Sequence, residues 1–165
     1  MKIRSIALTV ALWAAVLACM VGIFMFSAEN ADESIETSDG IVDVVIEKVT
    51  EDVKDDMTTD EYDSLRTKIS NIVRKCAHFL IYLALGLLVS LAFGRHMAIG
   101  VRHFLASQVW CSLYAVSDEI HQMFVPGRAG RILDVGIDSA GAFCGIAIVV
   151  AVAAMIGKRK RMREE

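Results

Sequence analysis

Ser117-Asp118-Glu119-Ile120-His121-Gln122-Met123-Phe124-Val125-Pro126-Gly127-Arg128, followed by Arg131, Asp134 and Asp138, packs ionisable groups between two apolar segments. Charge at a bilayer boundary is costly unless it is paired or wetted, so the cluster marks both a boundary between membrane segments and the first place to look for function. Outward from it, the chain divides into blocks. Residues 104 to 117 and 139 to 157 carry no charge, residues 76 to 93 carry only His78, and residues 5 to 26 carry none. A chain of 165 residues that is 55% hydrophobic and has one proline is unlike an average soluble domain of its size.

A membrane-crossing helix needs roughly 20 mainly apolar residues, and the second and third blocks reach that length only with their flanks. The reading is therefore all-α: a polytopic membrane four-helix bundle with spans near 4–26, 75–94, 99–119 and 133–156. Four regions follow: an N-terminal transmembrane helix at 1–26, an acidic extracytoplasmic loop at 27–74, a three-helix core at 75–157 and a basic tail at 158–165. The first block, after Lys2 and Arg4, also has the look of a secretory signal. Its apolar run exceeds the usual 7 to 15 residues of such signals and Phe26 spoils a small-x-small cleavage pattern ending at Ala28, so a retained helix is expected.

Lys2, Arg4, Arg95, Arg102 and the run Lys158, Arg159, Lys160, Arg161 and Arg163 fall on one side of a four-span chain, which places both termini in the cytoplasm. Opposing basic residues exist, but several are diluted in the long loop. That loop is acidic through residue 63, with only Lys48 and Lys54 against a long series of Asp and Glu, as a solvated face would be. Within it, Ile41, Val42, Val45, Ile46, Val49 and Val53 recur at helical spacing and predict an amphipathic helix over 40–56. Thr58-Thr59-Asp60-Glu61 with Tyr62, Leu65, Ile69 and Ile72 predicts a second helix, capped by Thr58 or Thr59, that runs toward the second span.

Cys19, Cys76, Cys111 and Cys144 are scattered one per apolar block and read as small core residues rather than disulfide or zinc partners. Glycine-rich phosphate loops and G-x-S-x-G turns are absent. Trp13 and Trp110 are expected mid-span, packing or facing lipid, and His96 and His103 on the opposite side, with the cytoplasmic basic loop.

On this topology the polar motifs meet at the outer side. Lys75, His78 and Tyr82 share a helix face, as do Asp118 and Gln122. The Val125-Pro126-Gly127-Arg128 turn delivers Arg128 and Arg131 to the boundary. Asp134 and Asp138 lie one turn apart on the stripe of Gly141 and Gly145, whose small-xxx-small spacing lets another helix approach closely and press the two acids against it.

The composite Arg74-Lys75-x-x-His78-Phe79-x-x-Tyr82-x-x-x-Gly86, then Asp118-Glu119-x-x-Gln122-x-Phe124-x-Pro126-Gly127-Arg128, then Asp134-x-x-x-Asp138-x-x-Gly141, resembles the VanZ-like family of small bacterial membrane proteins. The resemblance spans about residues 71 to 146, and Phe26-Ser27 is similar to the family's opening. It implies a role in the bacterial cell envelope, since the family is named for a protein linked to teicoplanin resistance. The chain departs at Asp138, where the family usually has Asn, and the extra carboxylate implies a higher proton affinity or a need for another cation.

Chemically, the cations Lys75, Arg128, Arg131 and His78 stand among the carboxylates of Asp118, Glu119, Asp134 and Asp138, and mutual neutralisation is the first expectation. A ligand-binding site over Lys75, His78, Tyr82, Asp118, Glu119, Gln122, Arg128, Arg131, Asp134 and Asp138 is the functional one. In it, Lys75 and Arg128 would hold the phosphate or carboxylate of an envelope lipid or lipid-linked wall precursor while Tyr82 and Gln122 supply hydrogen bonds. A catalytic alternative uses His78 with Asp118 or Glu119, but no activated nucleophile accompanies them, so binding or a structural role is expected ahead of catalysis. A proton-coupled carrier would have to oligomerise. An interaction protein or scaffold, acting as a homo-oligomer or with an envelope protein, stays open. No cofactor, nucleic acid or metal is expected; the set His78, Asp118, Glu119 and His121 lacks tight ligand spacing.

Overall fold

The computed structural model describes residues 2–28, 31–50, 57–126 and 130–164, with the backbone alone at 2–4, 31–39 and 164. Among the described residues all regular structure is helical: α1 (Lys2–Ala28), α2 (Ala31–Thr50), α3 (Thr59–Phe93), α4 (Val101–Gln122) and α5 (Ile132–Glu164). Three of these, α1, α3 and α5, are long and apolar enough to cross a membrane. The fourth expected span, α4, exists as a 22-residue helix but does not meet that standard.

The reason is the number of polar residues that α4 carries, and the fold keeps many of them inside. His103, Ser107, Asp118, Glu119 and Gln122 are buried, whereas Val101, Leu105, Val109, Leu113, Val116 and Ile120 are exposed. The helix is polar inward and apolar outward, the reverse of a helix in a soluble protein.

The amphipathic segment folds as α2, beginning earlier than its apolar spacing predicts; residues 51–56, the end of the expected helix, lie outside the described residues. Val42 and Ile46 of α2 pack on Ile69 of α3, with Val45, Tyr62, Leu65 and Val73 closing a small separate cluster. Arg66 pairs with Asp43 at 2.6 Å along its edge. The second predicted helix and the following span are one continuous 35-residue helix, α3. It opens on a capping box, in which the Thr58 hydroxyl accepts from the Glu61 amide and the Glu61 carboxylate accepts from the Thr58 amide, satisfying two otherwise orphaned donors.

The main core gathers Val16 and Ile23 of α1, Tyr82, Leu85, Val89 and Ala92 of α3, Cys111 and Ala115 of α4, and Ala142 of α5. Glycines set its tightest seam. A Cβ at Gly141 would fall on the Phe79 carbonyl, one at Gly145 on the Leu83 carbonyl, and one at Gly86 on the Ala142 carbonyl. The pairing of Phe79 with Gly141 and Leu83 with Gly145 makes α3 and α5 parallel, backbone against backbone. Trp13 meeting His96 and Ser27 meeting Asp118 make α1 antiparallel to α3 and parallel to α4. The ends of α1 and α4 therefore meet the start of α5 at one end of the assembly.

Candidate functional site

Four helices contribute to that end. Lys75, His78 and Tyr82 on α3 point into it at the three- and four-residue spacing that one helix face provides. Asp118, Glu119 and Gln122 come from the last turns of α4, Asp134 and Asp138 from the first turns of α5, and Ser27 from the end of α1.

The outer layer is an ion pair, Lys75 Nζ to Asp134 Oδ1 at 2.6 Å, whose side chains remain 34% and 30% exposed. Beneath it, His78 Nδ1 faces Asp138 Oδ1 at 3.6 Å, and Asp138 is 1% exposed. Deepest is Asp118, also 1% exposed, whose Oδ2 accepts from the hydroxyls of Ser27 at 2.9 Å and Tyr82 at 3.4 Å and from Gln122 Nε2 at 3.3 Å. Gln122 Nε2 also reaches Ser27 Oγ at 3.3 Å, closing a small network around one carboxylate oxygen.

The other oxygens are treated differently. Asp118 Oδ1, both Asp138 oxygens and Glu119 Oε2 are buried and have no hydrogen-bond partner among the described residues, and the same holds for Arg74 Nε. Such atoms carry a desolvation cost that a native structure ordinarily removes with a partner. His78, Asp118 and Asp138 each present one donor atom, all within 4.8 Å of one another, and together could hold a cation or share a proton.

The structure thus unites Lys75, His78, Tyr82, Asp118, Gln122, Asp134 and Asp138, as the helical spacings predict. Glu119 joins from the side: its Oε1 accepts from the backbone amide of Arg131, while the Arg131 side chain is exposed. Main chain, and not the guanidinium, makes that contact. Arg128 lies outside the described residues, so its predicted part in the site does too. His121 stays outside the donor group and stacks on Phe24 with ring centroids 3.9 Å apart. Ser27 is the residue left out of the expected site: it is fully buried, and its signals in the sequence were a small polar residue closing the first apolar run and its place in the Phe26-Ser27 pair that resembles the family's opening.

At the opposite end, Trp13 packs on Phe93 and Trp110, as expected of a packing residue, and donates from Nε1 to His96 Nε2 at 3.0 Å beside the turn after α3. His103 is fully buried, with Nε2 2.8 Å from the Ser90 carbonyl, a core position and not one in a solvated basic loop.

A protein-family model described as VanZ/LLP1 matches residues 12–154, most of the chain and every element of this site. No curated protein and no solved structure matches. The chain belongs to the VanZ/LLP1 family, and its apolar helices make it a membrane protein of that family.

Proposed function

We propose that this VanZ/LLP1-family protein is a multi-pass, four-helix protein of the bacterial cell membrane that binds an anionic envelope lipid, or a lipid-linked wall precursor, at a polar site in the outer leaflet. Four crossings are supported by the outward apolar face of α4, since 22 residues at 1.5 Å rise make about 33 Å, enough for a hydrocarbon core of about 30 Å. Orientation is supported by the basic residues of the α3–α4 connection and of the α5 end, which lie away from the site and mark the cytoplasmic side.

The observation that carries the binding reading is the Lys75–Asp134 pair, about one-third exposed, standing over buried polar groups from four helices. With about a third of each side chain exposed, the ammonium is within reach of an incoming phosphate or carboxylate that competes with Asp134 for it. The exposed Arg131, just before α5, adds a cationic donor on the same side as Asp134. Tyr82 and Gln122 hold the interior in place beneath.

The test is lipid retained by protein purified in native-like nanodiscs, read by mass spectrometry. Lys75→Gln is expected to lose anionic lipid relative to wild type while neutral lipid is unchanged; equal anionic lipid in both would overturn the reading. A link to teicoplanin susceptibility belongs to the same proposal, and it predicts that Lys75→Gln abolishes any shift in inhibitory concentration that expression of the wild-type chain produces. A catalytic reading retains His78, Asp118 and Glu119 and gains one observation, the Ser27 hydroxyl 2.9 Å from a carboxylate oxygen. Turnover of extracted envelope lipids that His78→Ala and Ser27→Ala both abolish would favour it.

A further inference from the structure

We infer that His78, Asp118 and Asp138 form a binding site for one divalent transition-metal ion, of the zinc or manganese class, beneath the Lys75–Asp134 pair. The expectation of no metal weighed donor spacing along the chain. In space the donors come from three different helices, and Asp138 takes the place that Glu119 and His121 were given.

Three independent features support the site. The first is distance: one imidazole nitrogen and two carboxylate oxygens lie within 4.8 Å of one another. Donors at about 2.1 Å from a shared ion stand about 3 to 3.4 Å apart, so the 3.6 Å between His78 Nδ1 and Asp138 Oδ1 has only a few tenths of an ångström to close.

The second is unsatisfied valence in a place where it is expensive. Asp118 and Asp138 are each 1% exposed, and Asp118 Oδ1 and both Asp138 oxygens lack hydrogen-bond partners among the described residues. Asp118 is held through its other oxygen by Ser27, Tyr82 and Gln122, an arrangement that fixes the carboxylate and leaves Oδ1 for something else. Metal-binding carboxylates are commonly oriented by hydrogen bonds of this kind.

The third is charge. Two ionised carboxylates beside a neutral imidazole carry two negative charges, and Lys75 is already engaged with Asp134. Protonating His78 offsets one of the two; a divalent ion offsets both and gives the buried oxygens the partner they lack. Mixed imidazole and carboxylate donors suit zinc or manganese better than magnesium or calcium, which take oxygen alone. Three protein donors also leave a coordination position open to water or to an oxygen of a ligand.

This site does not depend on lipid binding at the rim, and the experiment separates them. Full-length protein in nanodiscs, with any affinity tag removed, is stripped with a chelator, dialysed against Zn2+ or Mn2+ alone, and assayed for bound metal by mass spectrometry and for its thermal midpoint. Wild type is expected to retain about one ion per chain, the stoichiometry of a single three-donor site, and to melt at higher temperature with the ion than without it. His78→Ala and the isosteric Asp138→Asn are expected to lose the retained ion and the thermal shift, and Ser27→Ala to weaken binding about tenfold. Lys75→Gln is expected to keep both, whatever it does to lipid. A wild-type chain that retains no more metal than His78→Ala, or whose midpoint moves with neither ion, overturns the proposal; so does stabilisation on acidification with no response to metal, which would mean that the two carboxylates share a proton. Because the wild-type measurement decides by itself, a variant that fails to fold leaves the test intact.

Discussion

The two ends of the helical assembly bury polar side chains to the same depth and handle them differently. At the far end, His103 lies against the Ser90 carbonyl and a ring cluster of Trp13, Phe93 and Trp110 closes round the turn, with centroid separations of 5.7 to 6.4 Å. The groups there are neutral or basic, and although His103 Nδ1 and the Ser90 and Ser107 hydroxyls also lack hydrogen-bond partners among the described residues, none of them is a carboxylate. At the site end, two carboxylates and an imidazole crowd together with several oxygens unpartnered. Burial alone therefore does not distinguish a structural polar residue from a functional one; the sign and the surplus of charge do.

The comparison can be broken most forcefully at the glycine seam under the site. Gly141→Val would drive a side chain into the Phe79 backbone, and a loss of about 3 kcal/mol or more is expected, read as loss of folded protein in detergent thermal melts. Gly22→Val, with nothing within 4 Å of its Cβ position, is the control and should melt like wild type. Next in size, His103→Ala at the far end should cost about 2 kcal/mol, since it removes a buried ring and its contact with the Ser90 carbonyl. Asp138→Asn, equally buried, should leave metal-free stability unchanged or higher, because it takes a negative charge out of an acidic pocket. If His103→Ala were silent and Asp138→Asn strongly destabilising in the absence of metal, the contrast between the ends would be reversed.

Smaller effects sharpen it. Ser27→Ala should cost about 1 kcal/mol, one buried hydrogen bond to a carboxylate, in the same melts. Lys75→Gln should change stability by no more than about 1 kcal/mol, the upper end for exposed ion pairs, while reducing anionic lipid binding. That separation of stability from binding would mark the rim as a place for a ligand.

Much of this was legible in the sequence. Charge-free blocks located α1, α3, α4 and α5, the Val42 and Ile46 spacing located α2, and Thr58 with Glu61 announced the start of α3. The site was legible where its residues lie on one helix face, as Lys75, His78 and Tyr82 do, or follow a small-residue stripe, as Asp134 and Asp138 do. What escaped depends on relations between helices. Ser27 matters because α1 runs parallel to α4 and ends beside Asp118, 91 positions away. The Arg131 amide meets Glu119 because of the path of the connection into α5, and no side-chain pattern encodes that. His103 reads as a loop residue beside Arg102 until the inward polar face of α4 is known.

That inverted face has a consequence for how the protein is made. On the four-span reading, α4 emerges from the ribosome with too little hydrocarbon character to partition into lipid alone, and a segment carrying Asp118 and Glu119 is disfavoured there until its acids have somewhere to turn. Its entry would then depend on α1 and α3 already waiting, and α5 would complete the enclosure. A nascent chain arrested before Ile132 would accordingly leave α4 open to externally added protease, and one extended through α5 would bring it under protection.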